Sequence, residues 1–228
     1  MKTKPTVLVT IFLTIILSGF WLNAVEAQHR TAIDVQEWPN GKVVLITGDT
    51  LYGALTYHRT QDIVNVFHED GSMSSVSPVN VEYFITQEIP SGKSSTFRSL
   101  RWNMGKSNSD FKKPTFFEEL NQGALTLIMR EAYVRGDGGN NGYYEATNFN
   151  NRGQLGDEVK NLYYILLPDG DIVNLRNLRK DLHMLFGSKS KEVKSYIRKN
   201  KLEYEKPHEL VAIINYFNAI TNSTSQTF

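Results

Sequence analysis

The chain contains no cysteine. That removes disulfide stapling, thiolate metal sites, a cysteine nucleophile and a lipid anchor on a cysteine in one step. Neither sign of charge dominates, since 25 basic residues stand against 24 acidic ones. Long hydrophobic runs are also lacking, with a single exception from Val7 to Leu22. No Gly-x-Ser-x-Gly occurs, so the strand-to-helix elbow that activates a serine has no signature here. The five histidines His29, His58, His68, His183 and His208 form no His-Glu-x-x-His frame and no i, i+4 pair. What is present is ordinary folded-protein composition, 40% hydrophobic and 21% charged, which excludes disorder throughout.

The one apolar run organises the amino terminus. Lys2 and Lys4 precede it, and Val25-Glu26-Ala27 supplies small residues at the positions a signal peptidase reads. Residues 1–27 are therefore expected to be a signal peptide cut after Ala27, placing the mature chain in the periplasm, in the medium or at the cell surface. The alternative is an uncleaved membrane anchor, as about 16 apolar residues fall just short of a bilayer span. Losing Lys2, Lys4 and Glu26 leaves a neutral mature chain.

Residues 28–40 read as a polar lead-in, and the clearest organisation lies in residues 41–87. Apolar runs at Val43–Ile46, Leu51–Tyr57, Ile63–Phe67 and Val79–Ile85 are punctuated by Gly48-Asp49 and Asp70-Gly71, the pattern of strands joined by tight turns. Gly53 inside a strand marks a sharp bend, so this module is expected to curl into a small bent antiparallel β-barrel. Residues 88–114 are polar and read as a linker carrying one possible strand from Thr96 to Asn103. An antiparallel β segment is expected over 115–175, interrupted by a mobile, Gly- and Asn-rich loop at 136–157, with Pro168-Asp169-Gly170 closing a hairpin. Three short helices close the chain over 176–221. Leu178, Leu182, Leu185 and Phe186 stripe the first, Val193, Tyr196 and Ile197 the second, and Leu210, Ile213, Ile214, Phe217 and Ile220 the third. The fold class is α+β.

Two resemblances attach to these patterns. The apolar-x-x-Gly-x-x-apolar spacing around Gly48 and Gly53, followed by Asp62-x-Val64-Asn65-Val66, resembles the first motif of Sm-like barrels over roughly forty residues. The carboxy-terminal half, with Tyr163-Tyr164-x-Leu166, Asp169-Gly170, Tyr196-Ile197-x-Lys199-Asn200-Lys201-Leu202 and Ile213-Ile214-x-Tyr216-Phe217-Asn218, resembles a group of exported Bacteroidetes proteins. The second resemblance implies an envelope location and brings no activity, cofactor or site residue with it.

Candidate sites are few. His58 and His68 flank one strand and are read as strand-end histidines, not a metal pair, because zinc needs three or four ligands. Asp137, Asn140, Asn141, Asp157 and Glu158 are oxygen ligands of the type calcium takes, without EF-hand spacing. Glu118 and Glu119 point to opposite faces if their segment is a strand, which removes them as a carboxylate dyad. No catalytic, cofactor or metal residue is assigned. Charge is unevenly spread, however: Arg176 to Lys206 holds ten basic and four acidic residues. Arg176, Arg179, Lys180, Lys191, Lys194, Arg198 and Lys199 are read first as a solvated helix face. Their functional reading is a patch for an anionic partner, an envelope protein or an anionic envelope polymer. The expected role is a non-enzymatic binding or structural component of the cell envelope. A nucleic-acid-binding Sm-like protein and an envelope hydrolase with dispersed carboxylates are the alternatives; export and neutrality disfavour nucleic acid.

Overall fold

Alternation of inward apolar and outward polar residues, broken by glycine-bearing turns, builds the first half of the fold. The computed structural model describes residues 34–106, 110–134 and 158–225. β1 (Val35–Leu45), β2 (Thr50–His58), β3 (Ile63–Phe67), β4 (Met73–Val76) and β5 (Val81–Gln87) follow one another through short turns. Leu55 and Tyr57 of β2 are buried while Tyr52 on the other face is exposed, and Val64 and Val66 repeat the alternation on β3. Gly53 has a φ of 155°, and a Cβ there would lie 2.0 Å from the Phe67 carbonyl oxygen. Only glycine lets β2 bend this closely over β3. Between Val44 and Leu45 the β1–β5 register slips by one residue, a bulge that adds twist.

A shared core lies under these strands. Trp38, Val43, Leu55, Tyr57, Val64, Val66, Val81, Phe84, Phe97 and Phe116 form one buried cluster. Phe84 and Phe97 stack with centroids 4.5 Å apart, and Phe116 meets Phe84 edge-on at 5.1 Å. Among the described residues this cluster draws on strands alone. Two boundaries differ from those expected. Residues 35–40 belong to β1 and place Trp38 in the core; their polarity misleads because only alternate positions face inward. The expected linker supplies β6 (Ser94–Trp102), which pairs with β5 and with β7 (Lys113–Glu119) and contributes Phe97 and Trp102 to buried clusters.

β8 (Thr126–Val134), β9 (Glu158–Leu166) and β10 (Ile172–Asn174) continue the same sheet, whose order is β10-β9-β8-β7-β6-β5-β1-β2-β3-β4, antiparallel at every neighbour whose register is known. β4 and β10 are its edges. The strands of the expected small barrel therefore belong to one longer, open ten-stranded sheet. The expected leader, with its expected cut after Ala27, and the expected loop at 136–157 lie outside the described residues.

Helices cover one face of the far half. α1 (Leu178–Leu185), α2 (Ser190–Asn200) and α3 (Pro207–Ser225) pack Leu182, Phe186, Val193, Leu210, Ile213, Ile214 and Phe217 against Leu127 of β8 and Ile165 of β9. The adjacent residue on each strand, Ile128 after Leu127 and Tyr164 before Ile165, turns to the opposite face and joins Trp102 and Phe117. Asn218 ties α3 to the sheet: its Oδ1 accepts the Leu125 N–H at 2.9 Å and its Nδ2 donates to the Leu125 carbonyl at 2.8 Å. Asn218 is 5% exposed and the Leu125 N–H depends on it, while the Leu125 carbonyl also accepts from Asn121 Nδ2 at 3.4 Å. Asn218→Ala is expected to lower unfolding free energy by about 1–3 kcal/mol, the cost of one buried backbone N–H left unpaired. Denaturant titration followed by circular dichroism checks this; a loss below about 0.5 kcal/mol would place the clamp among neutral surface contacts.

Candidate anion-binding face

Local sequence sets the geometry of the basic helices. Asn177 opens α1, its Oδ1 accepting the Lys180 N–H at 2.9 Å while its own N–H donates to Asp181 Oδ2 at 2.8 Å. Gly187, at a φ of 51°, breaks the helix into a short 3-10 turn (Gly187–Lys189) that starts α2 almost at once. Lys201 at a φ of 54° ends α2 in a left-handed cap. With Leu182 and Val193 fully buried, the cations are left on the outer faces.

All seven cations singled out from the sequence are exposed. Lys191, Lys194 and Arg198 recur at i, i+3 and i+7 and so share one stripe of α2, while Lys199 lies round the helix from it. Arg179 of α1 and Lys194 of α2 both act on His183, which brings those two cations to one place. Arg176 and Lys180 lie at the start of α1. None of the seven pairs with an acid among the described residues. The neighbouring acids are engaged elsewhere: Asp181 with the Asn177 N–H, Glu192 with Lys189 at 3.5 Å, and Glu203 and Glu209 with Lys206 at 2.9 and 3.3 Å.

His183 is the hub that sequence reasoning passed over. Its Nδ1 lies 3.0 Å from Ser190 Oγ and its Nε2 2.7 Å from Tyr204 OH, so one imidazole joins α1, the first residue of α2 and the segment before α3. Partial burial, then Lys194, then Arg179 hold its pKa below the ordinary histidine value. The spacing Arg179 to His183 is one helical turn and was legible; Tyr204, 21 residues away, was not.

The other candidates fall apart. His58 meets Asn65 at 3.1 Å, whereas His68 meets Ser74 at 2.8 Å and the Tyr52 carbonyl at 3.2 Å, so the two histidines serve different strand-end contacts. β7 sends Glu118 to Ser95 at 2.8 Å on one face and Glu119 to Arg98 at 3.2 Å on the other. Burial raises the Glu118 carboxyl above its ordinary pKa, against the Ser95 hydroxyl and Lys93. Among the described residues no three His, Asp or Glu side chains are placed to hold a metal ion. Asp137 to Asp157 lie outside the described residues, and Glu158 begins β9. No described helix is long and apolar enough to cross a membrane.

One buried polar group has no counterpart in the sequence reading. Asp62, 4% exposed and at a φ of 58°, accepts from Tyr57 OH at 2.7 Å and from the Phe116 N–H at 3.4 Å, with Arg130 Nη1 at 3.8 Å. Arg59 from the same turn pairs with Glu131. β7 and β8 pair at Glu118–Met129 and Glu119–Ile128, and the Leu120 N–H donates to the Leu127 carbonyl at 2.9 Å. Beyond those two pairs, the β2–β3 turn stands between the strands with Asp62 on one and Arg59 on the other. Comparison with known proteins finds no matching family model, no matching curated protein and no matching solved structure.

Proposed function

We propose that the protein is an exported, non-enzymatic component of the cell envelope whose α1–α2 face docks an anionic envelope polymer. The observation that carries this reading is the set of seven exposed cations without acid partners among the described residues, next to acids that are already engaged. Cations left unpaired on a rigid face keep their full field for an external anion. The basic start, the apolar run and the Val25-Glu26-Ala27 exit support export. In this reading the glycine-bent strands β5-β1-β2-β3-β4 act as a small Sm-like barrel that serves as a scaffold, and the helices as the contact surface.

Two experiments test it. Fractionated cells should yield a mature chain beginning at Gln28 outside the cytoplasm; a full-length cytoplasmic chain contradicts export. A Lys191→Glu, Lys194→Glu, Arg198→Glu chain should lose about a hundredfold in affinity for an anionic polysaccharide, at about 1 kcal/mol for each cation. Unchanged affinity returns the stripe to a solvated face, and tighter retention on nucleic acid than on polysaccharide would replace the envelope reading.

A further inference from the structure

We propose that His183 makes the basic face of α1 and α2 a proton-gated site for strong-acid oxyanions, the sulfate-ester or phosphodiester groups of an anionic polymer, so that binding tightens as the pH falls. This rests on the anionic-partner reading above and adds its regulation. The geometry is a convergence of four groups. His183 holds Ser190 Oγ at 3.0 Å and Tyr204 OH at 2.7 Å through its two ring nitrogens, with Arg179 and Lys194 beside it.

A neutral imidazole donates through one nitrogen and accepts at the other, so one of the two hydroxyls must spend its proton on the ring. An imidazolium donates through both. Ser190 Oγ and Tyr204 OH then both accept, and the hydroxyl proton formerly spent on the ring is released for an outside acceptor. Protonation therefore adds a charge and a free donor in the same step, with the ring held by the same two partners.

The charged groups facing His183 are Arg179 from its own helix and Lys194 from α2; Glu205 reaches it only through Tyr204. Asp181, Glu192, Glu203 and Glu209 are engaged elsewhere, and His208 stands beside Glu209 at 3.6 Å. Partial burial, then Lys194 and Arg179, hold the ring's pKa below the ordinary histidine value. An oxyanion between them offsets that repulsion and raises the His183 pKa, and by reciprocity protonation raises anion affinity by the same factor.

The test is the pH dependence of binding to dextran sulfate and, separately, to poly(glycerol phosphate), whose charges do not titrate between about pH 5 and pH 7.5. Affinity of the protein is expected to rise about tenfold across that interval, the equivalent of one unit of pKa shift. The rise should vanish in His183→Gln and persist in His208→Gln. A rise with one polymer alone supports the gate and identifies which ester is its ligand. Binding that does not change with pH overturns the gate and leaves the anionic face standing, whereas no binding to either polymer at any pH overturns both. Should His183→Gln fail to fold, the proton NMR titration of His183 decides: its pKa must rise when dextran sulfate is added, and an unchanged pKa contradicts the gate.

Discussion

Gly53→Ala is expected to lose more than about 4 kcal/mol of stability or to fail to fold. The added Cβ would stand 2.0 Å from the Phe67 carbonyl oxygen and 2.9 Å from its carbon, both backbone atoms of the paired strand that cannot swing aside. Relief requires β2 and β3 to part where Ala54 faces Phe67, and that opens the aromatic core beneath them. Gly48→Ala is the control. Gly48 also has a positive φ, 92°, but nothing lies within 4 Å of its Cβ position, so only conformational strain of about 1–2 kcal/mol is expected there. Equal effects at the two positions, measured by denaturant unfolding, would show that the close approach of β2 to β3 does not govern the bend of β2.

Asp62→Ala is the second large effect, about 2–4 kcal/mol, because it leaves the buried Phe116 N–H without its acceptor and removes the carboxylate beside Arg130. Tyr57 loses its hydrogen-bond partner in the same substitution, and alanine is less tolerant of the φ of 58°. Arg130 lies over the rings of Trp102 and Phe117 at 5.7 and 5.4 Å, so the substitution also reaches the second aromatic cluster. Asp62→Asn keeps an acceptor oxygen and a side chain that tolerates the left-handed region, and should retain about half of the lost stability. Native-state hydrogen exchange gives a local readout, since the Phe116 amide is expected to lose protection before the amides of β9. Wild-type stability in Asp62→Ala would mean that the β2–β3 turn does not wedge the gap between β7 and β8.

The elements that were legible in the sequence are those whose signal is local. Gly48-Asp49 and Asp70-Gly71 fall at hairpin turns, Gly187 stops α1, and Pro207 opens α3, each because one residue's backbone freedom decides the outcome. The inward stripe of α3 from Leu210 to Phe217 followed from its period alone. Trp38 was hidden because its neighbours Glu37, Pro39 and Asn40 are polar, although a strand needs only alternate apolar positions. β6 was half hidden: Lys93-Ser94-Ser95 looks like a linker, yet the half-buried Ser95 is a partner for Glu118 on the neighbouring strand. Asp62 and His183 were beyond reach for a different reason. Their roles depend on Phe116, Arg130 and Tyr204, which chain distance separates and only the tertiary fold assembles.

The basic face joins the two kinds of signal. Its charge count was visible, but whether the cations were already neutralised by their own acids was not. Lys189 and Lys206 absorb Glu192, Glu203 and Glu209, and that leaves the stripe on α2 unpaired among the described residues. The salt dependence of binding to an anionic polysaccharide measures this most directly. Plotted as logarithm against logarithm, affinity should fall with a slope of about −2 or steeper, as expected for three or more cations displacing condensed counterions. A slope near zero, or one that charge reversal at Lys191, Lys194 and Arg198 leaves unchanged, would contradict the account.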